Sequence, residues 1–345
     1  MIRKLMLLLA AGLVLVVLAL ALAGWRLHAT LNQPLQLEGE RLIEVVPGDT
    51  PGGVINRLEG EGVLDGAFWL RLYWRFNLPN QALHSGEYRI LPGQNVRDLI
   101  GLWVRGEVVQ YSLTLVEGWS FRQVRAALAR QEKLEQSLAE LDDRALMEKL
   151  GLPGVSPEGR FFPDTYRYVR GMSDLDLLKQ ARNRLDLVLE EEWGKRAEGL
   201  PYRKPYDALI MASMVEKETG VAEERGQIAG VFIRRLRLGM RLQTDPTVIF
   251  GLGERYNGNL TRAHLLEATP YNTYVIVGMP PTPIALVGRE AIHAALHPAE
   301  GKTLYFVARG DGSHVFSETL EQHNRAVREY QLKRRADYRS SPAPR

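Results

Sequence analysis

The feature that most constrains this chain is an uncharged run near its N-terminus, from Leu5 to Trp25. A helix of this length, at about 1.5 Å per residue, crosses a hydrocarbon core of about 30 Å. Arg3 and Lys4 precede the run, so the positive-inside bias places residues 1–4 in the cytoplasm and the rest of the chain outside. We predict a transmembrane helix over 5–25. A cleaved signal peptide is the alternative.

The composition excludes several classes of site and partner. The 345 residues contain no cysteine, which rules out disulfides, cysteine-ligated zinc and thiol nucleophiles. Lysine and arginine number 44 against 41 acidic residues, and because the excess of +3 is dispersed we expect no nucleic-acid partner. Apolar residues make up 45% and charged residues 25%, which is typical of a globular protein, here long enough for an anchor and two domains.

An internal echo organises the region after the apolar run. A polar tether over 26–39 leads to Val45-Val-Pro-Gly-Asp49, and Ile90-Leu-Pro-Gly-Gln94 repeats the pattern forty-five residues later. Each copy predicts a strand, a Pro-Gly turn and an amphipathic helix, and an aromatic cluster over 68–76 lies between the copies. We predict a small α+β subdomain over 40–110 built from two such units. A generic α+β domain with a chance echo is the alternative.

A second domain, of mixed α/β content, is predicted over 111–335. Amphipathic periodicity predicts a helix over 173–193, and a mainly apolar segment predicts a helix over 207–219 that is buried nearly all round. A strand is predicted over 304–307, and the end of the chain, 336–345, is predicted to be disordered. The predicted fold class is therefore α+β, with an N-terminal transmembrane helix and two domains beyond it.

Two glutamates, Glu216 and Glu218, end the predicted helix that is apolar nearly all round. Both border apolar surface on a helical wheel, and burial raises a carboxyl pKa toward the range that a general acid needs near neutral pH. Thr219 supplies a hydroxyl beside Glu218, and Gly220 can end the helix there. We predict that Glu218 is a general acid oriented by Thr219. The alternative is that one glutamate pairs with a neighbouring basic residue and only finishes the helix.

Polar and aromatic side chains alternate in two loops downstream, 240–247 and 271–274. Amide and hydroxyl groups form directional hydrogen bonds with sugar hydroxyl and N-acetyl groups, and an aromatic ring packs on a pyranose face. We predict that these loops bind a glycan; turns rich in Asn, Thr and Pro are the alternative. The candidate substrate-binding side chains in the loops and at the helix end are Glu216, Thr219, Gln243, Thr244, Asp245, Tyr271, Asn272 and Tyr274.

Two further segments are candidates for the wall of a cleft. Glu158, Asp164 and Tyr166 belong to an aromatic and acidic segment, although a structural loop fits this segment equally well. His314 lies in a short polar loop and is a further substrate-binding candidate.

The sequence predicts no metal and no cofactor. P-loop, HExxH and GxSxG motifs are missing from it. His293 and His297 stand one helical turn apart, a spacing that permits metal ligation, but no third ligand is evident.

Six motifs in a fixed order carry a resemblance that covers nearly the whole chain. They lie at 115–118 (LVEG), 158–165 (EGRFFPDT), 212–219 (ASMVEKET), 241–248 (RLQTDPTV), 271–274 (YNTY) and 312–316 (GSHVF). In these motifs the chain resembles the membrane-anchored endolytic peptidoglycan transglycosylases, the MltG or YceG-like family. Gly220 and Arg160 stand where relatives vary, and neither alters the chemistry that the resemblance implies.

The resemblance implies an activity and a location. The family has a LysM-like subdomain, which would be 40–110 here, and a single catalytic glutamate, which falls on Glu218. The implied reaction cleaves the β-1,4 bond between N-acetylmuramic acid and N-acetylglucosamine in nascent peptidoglycan glycan strands. It leaves 1,6-anhydro ends and terminates strand elongation without a cofactor. The resemblance also implies a single-pass protein of the cell inner membrane, with a periplasmic catalytic domain that works beside penicillin-binding proteins.

Two other classes of function stay open at this point. A lysozyme-type hydrolase would use a second carboxylate and would produce reducing ends instead of anhydro ends. A glycan-binding module without activity would keep the LysM-like part, but it would not need a carboxylate on a buried helix.

Overall fold

The computed structural model describes residues 2–332, which divide into two compact units. The first unit contains the chain up to Tyr111 together with Lys133–Glu135 and Arg167–Met172, and the second contains the rest of the described chain. Each unit has its own apolar core. The segment 336–345, predicted to be disordered, lies outside the described residues.

The first helix, α1, runs over Ile2–Asn32. Within residues 2–332 it is the one helix long and apolar enough to cross a membrane, with a mean hydropathy of 3.1 in its most apolar window. Residues 2–22 are exposed throughout, and partial burial begins at Ala23. Length and composition thus fit the membrane-spanning segment that the sequence predicts.

The helix does not end where the apolar run ends. The sequence predicts a polar tether over 26–39, but α1 continues to Asn32, so the prediction is wrong for the first part of this range. Leu27 and Leu31 are one helical turn apart and form an apolar face that packs against the core of the first unit. Packing of this face extends the helix by nearly two turns beyond Trp25.

The remaining elements of the first unit are β1 Arg41–Val45, α2 Pro51–Gly60, α3 Ala67–Asn77, β2 Gly86–Ile90 and α4 Val96–Arg105. Strands β1 and β2 pair antiparallel, with Ile43 opposite Tyr88. Each strand leads into its Pro-Gly turn, where Gly48 and Gly93 have φ of 93° and 88°, a region that favours glycine. The predicted order of strand, turn and helix is therefore present in both copies of the echo.

The helices of the first unit pack their predicted apolar faces inward. The predicted apolar positions of α2 and α4 are all buried: Val54, Ile55, Leu58, Val96, Leu99, Ile100 and Trp103. The aromatic cluster predicted over 68–76 is instead divided between two faces of α3. Leu70 and Trp74 point into the core, whereas Phe68 and Phe76 are 60% and 71% exposed.

From Tyr111 onward the chain is mainly helical. Its strands are β3 Tyr111–Thr114, β4 Thr165–Tyr168, β5 Tyr305–Ala308 and β6 His314–Ser317, which pair as β3 with β4 and β5 with β6. Its helices are α5 Phe121–Ala129, α6 Asp143–Lys149, α7 Asp174–Gly194, α8 Pro205–Glu218, α9 Arg225–Arg237, α10 Asp245–Leu252, α11 Arg262–Leu266, α12 Arg289–Leu296 and α13 Leu320–Val327.

Helix α8 lies at the centre of the second unit. Every residue from Ala208 to Val215 is buried, because α7, α9, α10 and α12 all pack against this helix. Pro205 opens the helix, and the carboxylate of Asp207 accepts the N–H of Arg203 at 2.8 Å. The observed span agrees with the helix predicted over 207–219 and leaves Glu218 as its last residue.

Candidate active site

Helix α8 ends in a carboxyl group, that of Glu218, whose environment suits a general acid. Thr219 has extended backbone angles, φ −142° and ψ 139°, so the helix ends at Glu218 without the glycine cap that the sequence suggests at Gly220. Glu218 is half-buried, and burial raises its pKa to about 7. A carboxyl group with this pKa holds a proton for a substantial part of the time near neutral pH.

Two neighbours tune the pKa of Glu218 in opposite directions. The Thr244 hydroxyl donates a hydrogen bond to Glu218 Oε1, which lowers the pKa by stabilising the carboxylate. The negative charge of Asp245 raises the pKa. The side chain of Thr244 is buried, so the donor is shielded from water and held in one place.

The loop before α10 holds Thr244 in position through backbone contacts. The N–H of Thr244 donates to Thr273 Oγ1 at 3.0 Å, and the N–H of Gln243 donates to the Thr273 carbonyl at 3.1 Å. Gln243 has φ 54° and is the one non-glycine residue with positive φ in the part of the chain that the structure describes. Backbone strain of this kind costs about 1–3 kcal/mol and is found most often at functional sites.

A buried arginine secures the same loop, and sequence reasoning missed it. Arg235 donates to the carbonyls of Leu242 at 2.8 Å and Arg241 at 3.1 Å, and to Gln243 Oε1 at 3.3 Å. Burial lowers its pKa. The available signal was a basic residue on the face of α9 that also carries apolar side chains, because a buried guanidinium needs several acceptors.

Asp245 and Tyr274 form a second pair beside Glu218. The Tyr274 hydroxyl donates to Asp245 Oδ1 at 2.7 Å, which ties the two predicted glycan-binding loops together. Burial and the neighbouring carboxylate of Asp245 both raise the pKa of Tyr274, and Glu218 raises it further. The structure therefore brings Glu218, Thr244, Asp245 and Tyr274 into one cluster.

Asn272 and Tyr271, which were also predicted to bind glycan, form hydrogen bonds within the protein. Asn272 is buried, and its amide donates to the carbonyls of His264, Leu265 and Glu267 at 2.7–3.3 Å. The hydroxyl of Tyr271 lies 2.9 Å from Thr282 Oγ1. Asn272 thus holds the loop in shape, a different role from the predicted contact with sugar.

Glu216 points away from Glu218 and has a different environment. Its Oε2 accepts the N–H of Gly288, the residue that precedes α12, at 3.2 Å, and Arg225 lies 3.8 Å away. Burial and the nearby charge of Glu117 raise the pKa of Glu216, whereas Gly288 and Arg225 lower it. Glu216 therefore takes the structural role that the sequence left open for one of the two glutamates.

The hydroxyl next to Glu218 in the chain has other partners. Thr219 Oγ1 accepts the N–H of Val221 at 2.9 Å and lies 3.4 Å from a carboxylate oxygen of Glu224. Glu224 in turn accepts the N–H of His314 at 2.8 Å and lies 2.7 Å from its Nδ1. The prediction that Thr219 orients Glu218 is therefore wrong, and His314 supports the segment after α8.

The acidic and aromatic segment before β4 uses its polar groups internally. Glu158 is buried and accepts the N–H of Phe121, at the start of α5, at 3.1 Å. Burial raises the pKa of Glu158 to about 7, partly offset by this hydrogen bond. The Tyr166 hydroxyl donates to the Phe162 carbonyl at 2.7 Å, while Asp164 is exposed.

The described chain contains no group of three or more His, Cys, Asp or Glu side chains that could hold a metal ion. His293 Nδ1 lies 3.0 Å from Glu192, and its ring stacks on that of His297 with centroids 4.2 Å apart. The two rings therefore contact each other, and that of His293 contacts Glu192 of α7.

Comparison with known proteins places the chain in a family. The YceG-like family matches residues 43–329, which cover most of both units. The chain belongs to the YceG-like family. A YceG-like protein of Listeria monocytogenes, solved by crystallography, is similar to this chain with a TM-score of 0.55 and 29% identity. The similarity covers 83% of this chain and 98% of the Listeria protein.

Two relatives of the chain carry the name endolytic murein transglycosylase. The Bacillus subtilis protein is 28% identical over 325 residues, covering 87% of this chain and 88% of the relative. The protein of Streptococcus pneumoniae strain D39 is 27% identical over 282 residues, which is 72% of this chain and 51% of that longer relative. The similarity extends over most of this YceG-like chain.

Proposed function

We propose that this YceG-like chain is an endolytic murein transglycosylase in which Glu218 is the catalytic acid. The observation that carries the proposal is the half-buried Glu218 carboxyl at the end of α8, with a pKa near 7 and a hydrogen bond from Thr244. The names of the relatives in Bacillus and Streptococcus support the substrate and the type of reaction.

A single carboxyl group is sufficient for this reaction. The Glu218 carboxyl donates its proton to the oxygen between C1 of N-acetylmuramic acid and C4 of N-acetylglucosamine, and the C1–O bond breaks. The C6 hydroxyl of the muramic acid then attacks C1 and returns its proton to Glu218, which closes a 1,6-anhydro ring without water. Because the nucleophile belongs to the same sugar, the ring closure has the advantage of an intramolecular reaction.

The neighbours of Glu218 would hold the sugars. Gln243 and Asp245 are exposed and Tyr274 is half-buried, so their polar groups are accessible beside the acid. Thr244 maintains the orientation of the carboxyl group while the proton leaves and returns. Among the further candidates, Asp164 is exposed, whereas Glu158 and Tyr166 would contribute through the shape of the wall.

One observation favours a hydrolase as the second candidate. Asp245 is close enough to Glu218 to raise its pKa, and hydrolytic glycosidases use two carboxyl groups. The hydrogen bond from Tyr274 occupies one oxygen of Asp245, which weakens Asp245 as a nucleophile or base. The two reactions differ by one water in the mass of their products.

The proposed location rests on α1. We infer that α1 anchors the enzyme in the inner membrane with its catalytic domain in the periplasm, where it meets new glycan strands beside penicillin-binding proteins. The apolar length of α1 and the exposure of residues 2–22 support the anchor. The two strand–turn–helix copies support a LysM-like role of the first unit in holding glycan.

The test uses two matched variants of the full chain, purified in detergent and incubated with peptidoglycan glycan strands. Glu218→Gln should abolish anhydro-ended fragments, with a loss of at least about 100-fold, because the proton donor is removed. Glu216→Gln changes a glutamate two positions away on the same helix, and it should keep activity within a few-fold. Mass spectrometry of the fragments measures both the rate and the ends.

Each outcome has a definite meaning. Reducing ends in place of anhydro ends would establish the hydrolase, and the absence of any fragment from the unmodified chain would favour a binding module. Retained activity in Glu218→Gln together with a loss in Glu216→Gln would refute the assignment of the acid. Circular dichroism of both variants separates loss of chemistry from loss of fold.

A further inference from the structure

The outer face of α3 carries several exposed or half-buried apolar side chains. Its exposed or half-buried side chains are Phe68, Trp69, Leu72, Tyr73 and Phe76. Phe68 and Phe76 are the most exposed of these, at 60% and 71%. Large aromatic side chains that share one exposed face indicate a surface with a partner.

The start of α3 lies close to the outer end of the apolar run in α1. A Cβ atom added to Gly66, the residue before α3, would lie 3.1 Å from the side chain of Thr30. Thr30 is five residues beyond Trp25, which corresponds to about 7–8 Å along the helix axis. The headgroup layer on each side of a bilayer is about 5–8 Å thick, so the start of α3 lies at or near its level.

Burial along α1 supports the same placement. Every residue of α1 from 2 to 22 is exposed, and the first partly covered side chain is Ala23, which still belongs to the apolar run. Leu27 follows on the same face and packs against the core of the first unit. The folded unit therefore begins within one helical turn of the apolar run, with no flexible spacer that could lift it away from a bilayer.

The chemistry of α3 selects the kind of partner. Arg71 and Arg75 are exposed, and the helix contains no acidic residue. Aromatic side chains flanked by arginine are typical of helices that lie at the boundary between headgroups and acyl chains, where the rings enter the apolar layer and the cations meet lipid phosphates. Because this face lies beside the end of the apolar run, its composition favours a lipid surface over a soluble protein as the partner.

We propose that α3 is an interfacial helix that lies on the outer surface of the bilayer, with Phe68 and Phe76 inserted among the lipids. The proposal rests on the membrane anchor of the proposed function. The span and the interfacial helix would then fix the first unit at two places, which holds it against the membrane and restricts its rotation about the axis of α1. Glycan would be presented close to the bilayer where the strands emerge.

The absence of cysteine permits a direct test in the full chain, reconstituted in phosphatidylethanolamine and phosphatidylglycerol vesicles. Spin labels are placed on single cysteines in Phe68→Cys and Phe76→Cys. Leu91→Cys is the control on the same unit, because Leu91 is exposed at the second Pro-Gly turn. Leu13→Cys reports on the span itself. Collision rates with dissolved oxygen, which enters lipid, and with a water-soluble nickel chelate are then measured.

The proposal predicts that labels at 68 and 76 collide readily with oxygen and several-fold less with the nickel chelate than the label at 91. Equal nickel accessibility at 68, 76 and 91, with the label at 13 in lipid, would overturn the interfacial helix and leave the anchor intact. If the label at 13 is also open to nickel, the anchor itself fails. Protection of 68 and 76 from both reagents, relieved by diluting the protein in lipid, would indicate a second copy and would also overturn the proposal.

Discussion

Replacing Thr244 by valine tests the central hydrogen bond of the site with little change in side-chain volume. Thr244 donates to Glu218, and this contact stabilises the ionised carboxylate and lowers its pKa. Valine keeps the shape and removes the donor. The pKa of Glu218 should therefore rise above its value of about 7.

The size and direction of the effect follow from the proposed role of Glu218 as the acid. A hydrogen bond to a charged group contributes about 1.5–3 kcal/mol, which corresponds to a pKa change of about 1–2 pH units. The proposed acid acts in its protonated form, so activity should be full below the pKa of Glu218 and should fall as pH rises through it. Loss of the donor should move the alkaline limb of kcat/KM upward by about 1–2 pH units. The plateau at low pH should be lower, because the carboxyl group is less well oriented.

The assay measures kcat/KM for release of anhydro-ended fragments between pH 5 and pH 9. Thr219→Val is the matched control, since its hydroxyl contacts Val221 and Glu224 instead of Glu218. Its alkaline limb should stay where it is in the unmodified enzyme. An unchanged or downward-shifted limb in Thr244→Val, or an upward shift in Thr219→Val, would refute this account of the site.

Three further predictions concern stability, measured by urea unfolding in detergent. Gly159→Ala should cost about 2–4 kcal/mol, because φ is 67° and a Cβ would lie 2.4 Å from Pro283, whereas Gly154→Ala, at φ 74° with open space, should cost about 1–2 kcal/mol. Equal losses would contradict the steric argument. Asn272→Ala should cost about 1–3 kcal/mol because it removes a buried amide that donates to three partly buried backbone carbonyls, and an unchanged midpoint would show that these carbonyls find other donors. Burial holds the pKa of Glu218 near 7 in the folded state, so ionisation of this group lowers the free energy of unfolding as pH rises from about 4.5 to 7. The free energy of unfolding of Glu218→Gln should therefore rise relative to that of the unmodified chain by up to about 3 kcal/mol between pH 5 and pH 8. A difference between the two proteins that stays constant with pH would rule this out.

Local periodicity was sufficient to predict much of the architecture. The apolar positions of α2 and α4 are buried as expected, and the predicted helices at 173–193 and 207–219 correspond to α7 and α8. These features depend on residues three or four positions apart, whose relation is visible in the sequence. The position of Glu218 at the end of a buried helix follows from the same kind of information.

The partners of Glu218 could not be predicted in this way. The nearest hydroxyl in the chain, that of Thr219, turns away because the backbone becomes extended there, and the donor is Thr244, twenty-six positions after Glu218. Thr244 is placed by a strained backbone at Gln243 and by the buried guanidinium of Arg235. Each of these contacts joins segments whose proximity depends on how the helices pack.

The sequence alone determined that the chain has one long apolar span, a repeated strand–turn–helix unit and a buried helix ending in two glutamates. Each of these is encoded by the order of apolar and polar residues over a short stretch. The tertiary structure decided that Glu218 contacts Thr244 while Glu216 contacts Gly288, that α1 continues into the first unit, and that one side of α3 stays exposed. Those results depend on contacts between residues far apart in the chain, because burial and hydrogen bonding at each position are set by the segments that pack around it.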